Sequence, residues 1–204
     1  MKMFTRFLTI CFFLHACSIS FVFGDEVISI KLEIERSLSK GVTWLNNEQN
    51  ATSGSWGEAD YPALTALALR STMGHPDLSV VNQFSSNQKK GFSFILSKVQ
   101  SDGGIYGKGL ACYNTSICMM ALLQSKNPEY KEVIKSARRF LVNQQSDFDQ
   151  KGKTDNTFDG GVGYGSRWAH SDLSNTHLAM EALFYAKKTL QSKESEDLDL
   201  DWDA

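Results

Sequence analysis

No basic patch interleaved with aromatic residues occurs in this sequence. Lysine and arginine are scattered and the net charge is −2 at pH 7, which excludes nucleic acid as a partner class. Beyond the first residues, no run approaches the ~20 apolar positions of a membrane span. Cysteine is also sparse. Of four in the chain, Cys11 and Cys17 lie near the start, which leaves Cys112 and Cys118 for the fold. Six residues apart on one helix, these two face different directions and stand too far apart for a bridge. They are read as free buried thiols. A disulfide would require Cys112 to precede the helix in an irregular turn.

Met1-Lys-Met-Phe-Thr-Arg6 supplies positive charge, and Phe7 to Leu14 is apolar. That order is a secretory signal, assigned to residues 1–24. Val22-Phe-Gly24 offers cleavage before Asp25. Leu14-His-Ala16-Cys17 resembles a bacterial lipoprotein box and would put a lipid anchor on Cys17, the one route to a membrane. The expectation is a secreted or periplasmic protein, with lipid anchoring in the envelope as the alternative. Composition changes sharply at Ser192, and residues 191–204 are read as a solvated acidic tail. Residues 25–190 remain for the fold.

Within that span one pattern recurs. Lys40-Gly-Val-Thr-Trp44-Leu45 leads to Gln49, Gly54 and Trp56. Degraded copies run from Lys90-Gly91 through Phe94-Ile95 to Gln100, Gly104 and Tyr106, and from Ala137 through Phe140-Leu141 to Gln145, Gly161 and Tyr164. The glutamines step by 51 and then 45 residues, a period that signifies stacked supersecondary units. Upstream of each Gln lies an amphipathic stripe: Ile30, Ile34, Leu38, Val42 and Leu45, then Phe92, Ile95, Leu96 and Val99, then Val133, Ile134, Ala137, Phe140 and Leu141. The early alternation from Ile28 to Ile34 fits a strand, but the four-residue spacing persists to Leu45 and predicts a helix. Downstream, Pro62–Leu69, Thr115–Leu123 and Thr176–Phe184 are apolar nearly all round, as buried helices are. The Gln amide is expected to bond corner backbone, and the aromatic past the glycine to shield it.

Basic, Gly, two free, aromatic, aliphatic, three free, Gln, a gap, Gly, one free, Trp: the first copy resembles the QW repeat of squalene and oxidosqualene cyclases. Over about residues 30–190 the chain resembles the terpenoid-cyclase/protein-prenyltransferase superfamily. The resemblance implies an all-α fold, a partial α/α toroid of about three helical-hairpin repeats forming an open arc. Each repeat would be an outer helix, a Gly-aromatic corner and an inner helix. An open arc has two exposed flanks, which invite a homo-oligomer or a partner chain, and its concave side would suit an apolar, isoprenoid-like ligand.

In such folds chemistry sits where a corner meets an inner helix, because helix N-termini offer free N–H groups and partial positive charge. The ligand-binding candidates there are Asp60, Tyr61, Tyr113, Asn114, Trp168 and Asn175. Aligning the Ala-Leu pairs at 68, 121 and 182 makes Tyr61, Asn114 and Asn175 equivalent. The catalytic candidates are His170, Asp172 and His177. The resemblance to prenyltransferase β subunits implies zinc ligands that this chain lacks: Asp172 matches the family's Asp, but Ser174 stands in place of its Cys and an Asn in place of its His. One carboxylate cannot hold zinc, so no metal and no cofactor are expected. Asp172 and Ser174 are read as helix N-caps, and Asn114 and Asn175 as binding corner backbone. Tyr106, Tyr113, Tyr164 and Trp168 are read as corner packing rather than a cation-stabilising cage.

Three function classes follow. The first is an exported, non-catalytic ligand- or protein-binding scaffold. The second is an isoprenoid-handling enzyme, a cyclase or prenyltransferase relative that completes its cavity by oligomerisation. The third is a polysaccharide-active α/α barrel, for which Asp172 with Glu58 or Asp60 would be the acid pair. The Cys-Gly-Glu-Gln thioester of complement-type toroids is absent. The first is the reading adopted.

Overall fold

A computed structural model describes residues 28–74, 84–165 and 170–190. The proposed signal, the acidic tail and Trp168 lie outside the described residues. Residues 28–48 are helical (α1), so the Ile28–Ile34 alternation is helix and not strand. Contacts divide the chain into two compact units, Met1–Trp44 and Leu45–Ala204. In the first unit Lys31 and Glu35 pair at 3.8 Å one helical turn apart, an exposed i,i+4 contact. Its stripe residues Ile30, Ile34 and Leu38 are exposed.

The second unit holds α2 (Pro62–Met73), α3 (Ser86–Leu96), α4 (Ala111–Ser125), a 3-10 turn (Pro128–Tyr130), α5 (Lys131–Val142) and α6 (Leu173–Thr189). Among the described residues there is no strand, only the isolated bridges Val99–Ile105 and Gln145–Val162. The fold is all-α. Helix starts follow local chemistry. Pro62 occupies the first turn of α2, where its missing N–H costs nothing. Ser85 and Gln88 close a reciprocal capping box on α3, and Asp172 caps α6.

Helix α4 packs between α2 and α6, α3 lies against α2, and α5 lies against α4 and α6. The amphipathic stripes of α3 and α5 point into this core: Phe92 and Ile95 are buried on one, Ile134, Ala137, Phe140 and Leu141 on the other. Each fully buried large aliphatic or aromatic side chain contributes about 1.5–3 kcal/mol. Helix α4 buries nearly every side chain from Ala111 to Leu122, as its all-round apolar sequence predicts. Cys118 faces the core within it, and neither it nor Cys112 is bridged.

Three corners repeat one set of backbone bonds. Asn50, Gln100 and Ser146 donate their N–H groups to Ser55, Gly104 and Gly161 at 2.9, 2.8 and 2.7 Å. Gly54, Gly103 and Gly160 donate back to Asn50, Gln100 and Ser146 at 2.8, 3.0 and 2.9 Å. The next buried residues, Trp56, Ile105 and Val162, donate their N–H groups to the hydroxyls of Thr65, Thr115 and Thr176 at 3.0, 2.9 and 2.9 Å. Gly54 and Gly103 adopt φ of +77° and +90°, and a Cβ there would stand 2.7 Å from Lys90 O and 2.6 Å from Ser136 O. These two corners therefore press on the backbone of the following flanking helix, α3 or α5, which only glycine permits.

This register corrects the one read from the glutamines. The equivalent residues are Gln49, Val99 and Gln145, and Gln100 falls one position late. Gln49 and Gln145 donate to matching carbonyls, Gly54 O at 2.8 Å and Gly160 O at 3.2 Å. Gln100 turns instead to Tyr106 O at 2.7 Å. The slot of Trp56 is filled by Ile105 and Val162, not by Tyr106 and Tyr164. The reason is physical: the slot demands a buried apolar side chain, and Tyr106 keeps its hydroxyl outside on Asp102 at 2.7 Å.

Candidate functional site

The junctions before α2, α4 and α6 are linked in series. Lys108 N–H, in the corner before α4, donates to Asp60 O at 3.2 Å, and Cys112 N–H donates to Tyr164 O at 3.1 Å. Asp60 is exposed, and Tyr61 occupies the N-cap of α2 without a side-chain cap. Asn114 is fully buried. Its Oδ1 accepts the Ala63 N–H at 3.0 Å, and its Nδ2 donates to Leu110 O at 3.0 Å and Gly109 O at 3.3 Å. One side chain thus caps the preceding repeat's helix and holds Leu110 in the left-handed region, φ 49°.

Asp172 caps α6 as expected. Its Oδ1 accepts from Asn175 N at 2.9 Å, Asn175 Nδ2 at 2.7 Å and the Ser174 hydroxyl at 2.6 Å. The Ser174 bond first, then those from Asn175, hold its carboxyl below the usual carboxylate range. Ser174 itself is not the cap; it donates to the residue that is. Asn175 is buried, and its Oδ1 finds no partner among the described residues. His170 and His177 are exposed. Among the described residues, no three His, Cys, Asp or Glu groups converge to hold a metal ion.

The proposed equivalence of Tyr61 with Asn114 and Asn175 is only half right. Asn114 and Asn175 both precede the corner-binding threonines Thr115 and Thr176. In α2 the corresponding residue is Leu64, preceding Thr65. Helix α2 carries three Ala-Leu pairs, at 63, 66 and 68, so the motif could not fix its own register. Tyr113 is half-buried against the core. Tyr106 packs its ring 5.9 Å from that of Phe140, in keeping with corner packing, and its bond to Asp102 pushes the phenol up to about 12.

A pocket not anticipated from the sequence lies at the other ends of these helices, with a volume of about 810 Å³. Met120, Leu123, Ile134 and Leu190 give it apolar walls, and Arg70, Lys126, Glu181 and Tyr185 its polar ones. Arg70 and Glu181 approach to 4.0 Å, and Gln124 Nε2 donates to Arg70 O at 3.3 Å. The available signal was Arg70 and Glu181, charges set just past or within the apolar runs Pro62–Leu69 and Thr176–Phe184. Burial pushes the Cys112 thiol up to about 12 and the Cys118 thiol higher still, so neither is a ready nucleophile. No helix among the described residues is long and apolar enough to cross a membrane. Comparisons with protein-family models, with curated proteins and with solved structures find no match to this chain.

Proposed function

We propose that this chain is a non-catalytic ligand-binding scaffold, built on part of an α/α toroid of about three hairpins, whose ligand site is the pocket at the C-terminal ends of α4 and α6. The pocket carries the proposal. Its volume, about 810 Å³, lies within the roughly 300–1,000 Å³ of small-molecule sites. The apolar walls suit a hydrocarbon body, and Arg70 and Lys126 favour an acidic group at one end. Glu181 stands against Arg70, so it is not a bare repelling charge. The reading is further supported by how the junction residues use their bonds: Asn114 and Asp172 serve helix starts rather than a reacting centre. Residues 1–24 support a location outside the cytoplasm.

The test is equilibrium binding of a fluorescent long-chain carboxylic acid to the purified chain. Leu123→Trp should fill the pocket and remove binding while leaving the melting temperature within a few degrees. Undiminished binding by Leu123→Trp, or equal affinity for the corresponding neutral alcohol, would refute the assignment. Turnover of a polyprenyl diphosphate would favour the isoprenoid enzyme instead.

A further inference from the structure

Helices α4 and α6 share one register, established twice over: Thr115 and Thr176 bind equivalent corner amides, and Ala121-Leu122 and Ala182-Leu183 are all buried. On α4, Asn114 and Ala121 lie on the side facing α2, as the Asn114–Ala63 bond requires. At 100° per residue, Cys112, Met119 and Leu123 lie about half a turn away, on the side facing α6. Cys112 and Met119 are buried there. The same positions on α6 are Leu173, Met180 and Phe184, and they are 86, 43 and 56% exposed. The opposite side of α6, facing α4, carries Asn175, Ala179, Ala182 and Ala186, all buried. Small residues on α6 thus receive larger ones from the preceding α4.

We infer that the flank of α6 bearing Leu173, Met180 and Phe184 is the seat of a further hairpin of this same repeat, whose second helix presents a small-residue stripe like Asn175-Ala179-Ala182-Ala186. The argument is continuity with the α4–α6 interface: α6 offers the knobs that α4 offers, and the chemistry of the face that receives them is already visible in the fold. In stacked repeats each unit buries its apolar face only against a neighbour, and Leu173, Met180 and Phe184 form a face of that type. This inference is independent of the pocket and of its ligand.

The experiment appends a second copy of residues 128–190 after Ala204 and follows maleimide labelling at Met180→Cys in the full chain, mapped by peptide mass. Labelling should slow about tenfold or more relative to the chain without the added hairpin, since a packed side chain reacts only through local opening. Far-UV circular dichroism should gain the helix of a full hairpin. Placing Ala182→Phe in the appended copy alone should restore fast labelling. The inference fails if labelling stays fast, if the added hairpin gains no helix, or if the bulky substitution changes nothing. It also fails if Met180→Cys in the original chain is already protected in a concentration-dependent way, for then a second copy covers the flank.

Discussion

Asn114 Oδ1 accepts the N–H of Ala63 at 3.0 Å across 51 residues of sequence. The first turn of an α-helix leaves N–H groups without intrahelical acceptors, and the N-cap of α2, Tyr61, supplies no side-chain acceptor. The acceptor comes from the next repeat. A single amide therefore joins the first turns of two helices whose corners are also linked by the Lys108–Asp60 backbone bond, and the same amide secures the left-handed Leu110 before α4.

Replacing Asn114 by Ala should cost about 1–3 kcal/mol, because the buried Ala63 N–H is left unsatisfied, whereas Leu110 O keeps the backbone N–H of residue 114. Asn175→Ala should cost distinctly less, since its Oδ1 has no partner to lose. Urea unfolding midpoints of the two variants check this. Equal losses would contradict the capping role of Asn114.

At the corners, Gly103→Ala should destabilise by about 1–3 kcal/mol, combining a positive φ with a Cβ pressed against backbone. Its counterpart Gly54→Ala should fall in the same range, since a Cβ there meets Lys90 O at nearly the same distance. Gly109→Ala is the control. It too has positive φ, but nothing lies within 4 Å of its Cβ, so only the conformational cost remains. Thermal melts should rank Gly109→Ala above the other two in stability.

On the alkaline side, stability should fall through the thiols. Burial raises the folded pKa of Cys112 from 9.0 to about 12, so the folded state retains a proton that the unfolded state releases. The contribution is fully present below pH 9 and is lost as pH rises from there through about 12. On the acid side, the lowered Asp172 carboxyl acts in the opposite sense: its contribution is present above the ordinary carboxylate pKa and is lost as pH falls through the depressed folded value. Cys112→Ala should flatten the alkaline limb of a pH–stability curve and Asp172→Asn the acid limb. Iodoacetamide at pH 8 should leave Cys112 and Cys118 unmodified in the folded chain and label both in denaturant.

Helix order could be read along the chain because it rests on local information. The four-residue spacing of Val133, Ala137 and Leu141, the all-apolar run through α4 and the cap at Asp172 each act within a turn or two of their own position. The corner register could not be read so directly. Gln100 matches the repeat by type, yet the bonds of Gln100, Gly103 and Thr115 place Val99 in its slot. Residue identity suggested Tyr106 and Tyr164 as counterparts of Trp56, whereas burial selected Ile105 and Val162.

Nor could the pocket be seen, for its walls come from α2, α4, α5 and α6, and no local pattern marks residues that meet only when helices pack. Helices, their apolar faces and their repetition were thus written into short stretches of sequence, because hydrophobic periodicity and capping are short-range effects. Which amide caps which helix, where the cavity opens and which flank of α6 stays bare depended on residues some fifty positions apart being brought together, because buried polar groups take whatever partner the packed chain places within reach.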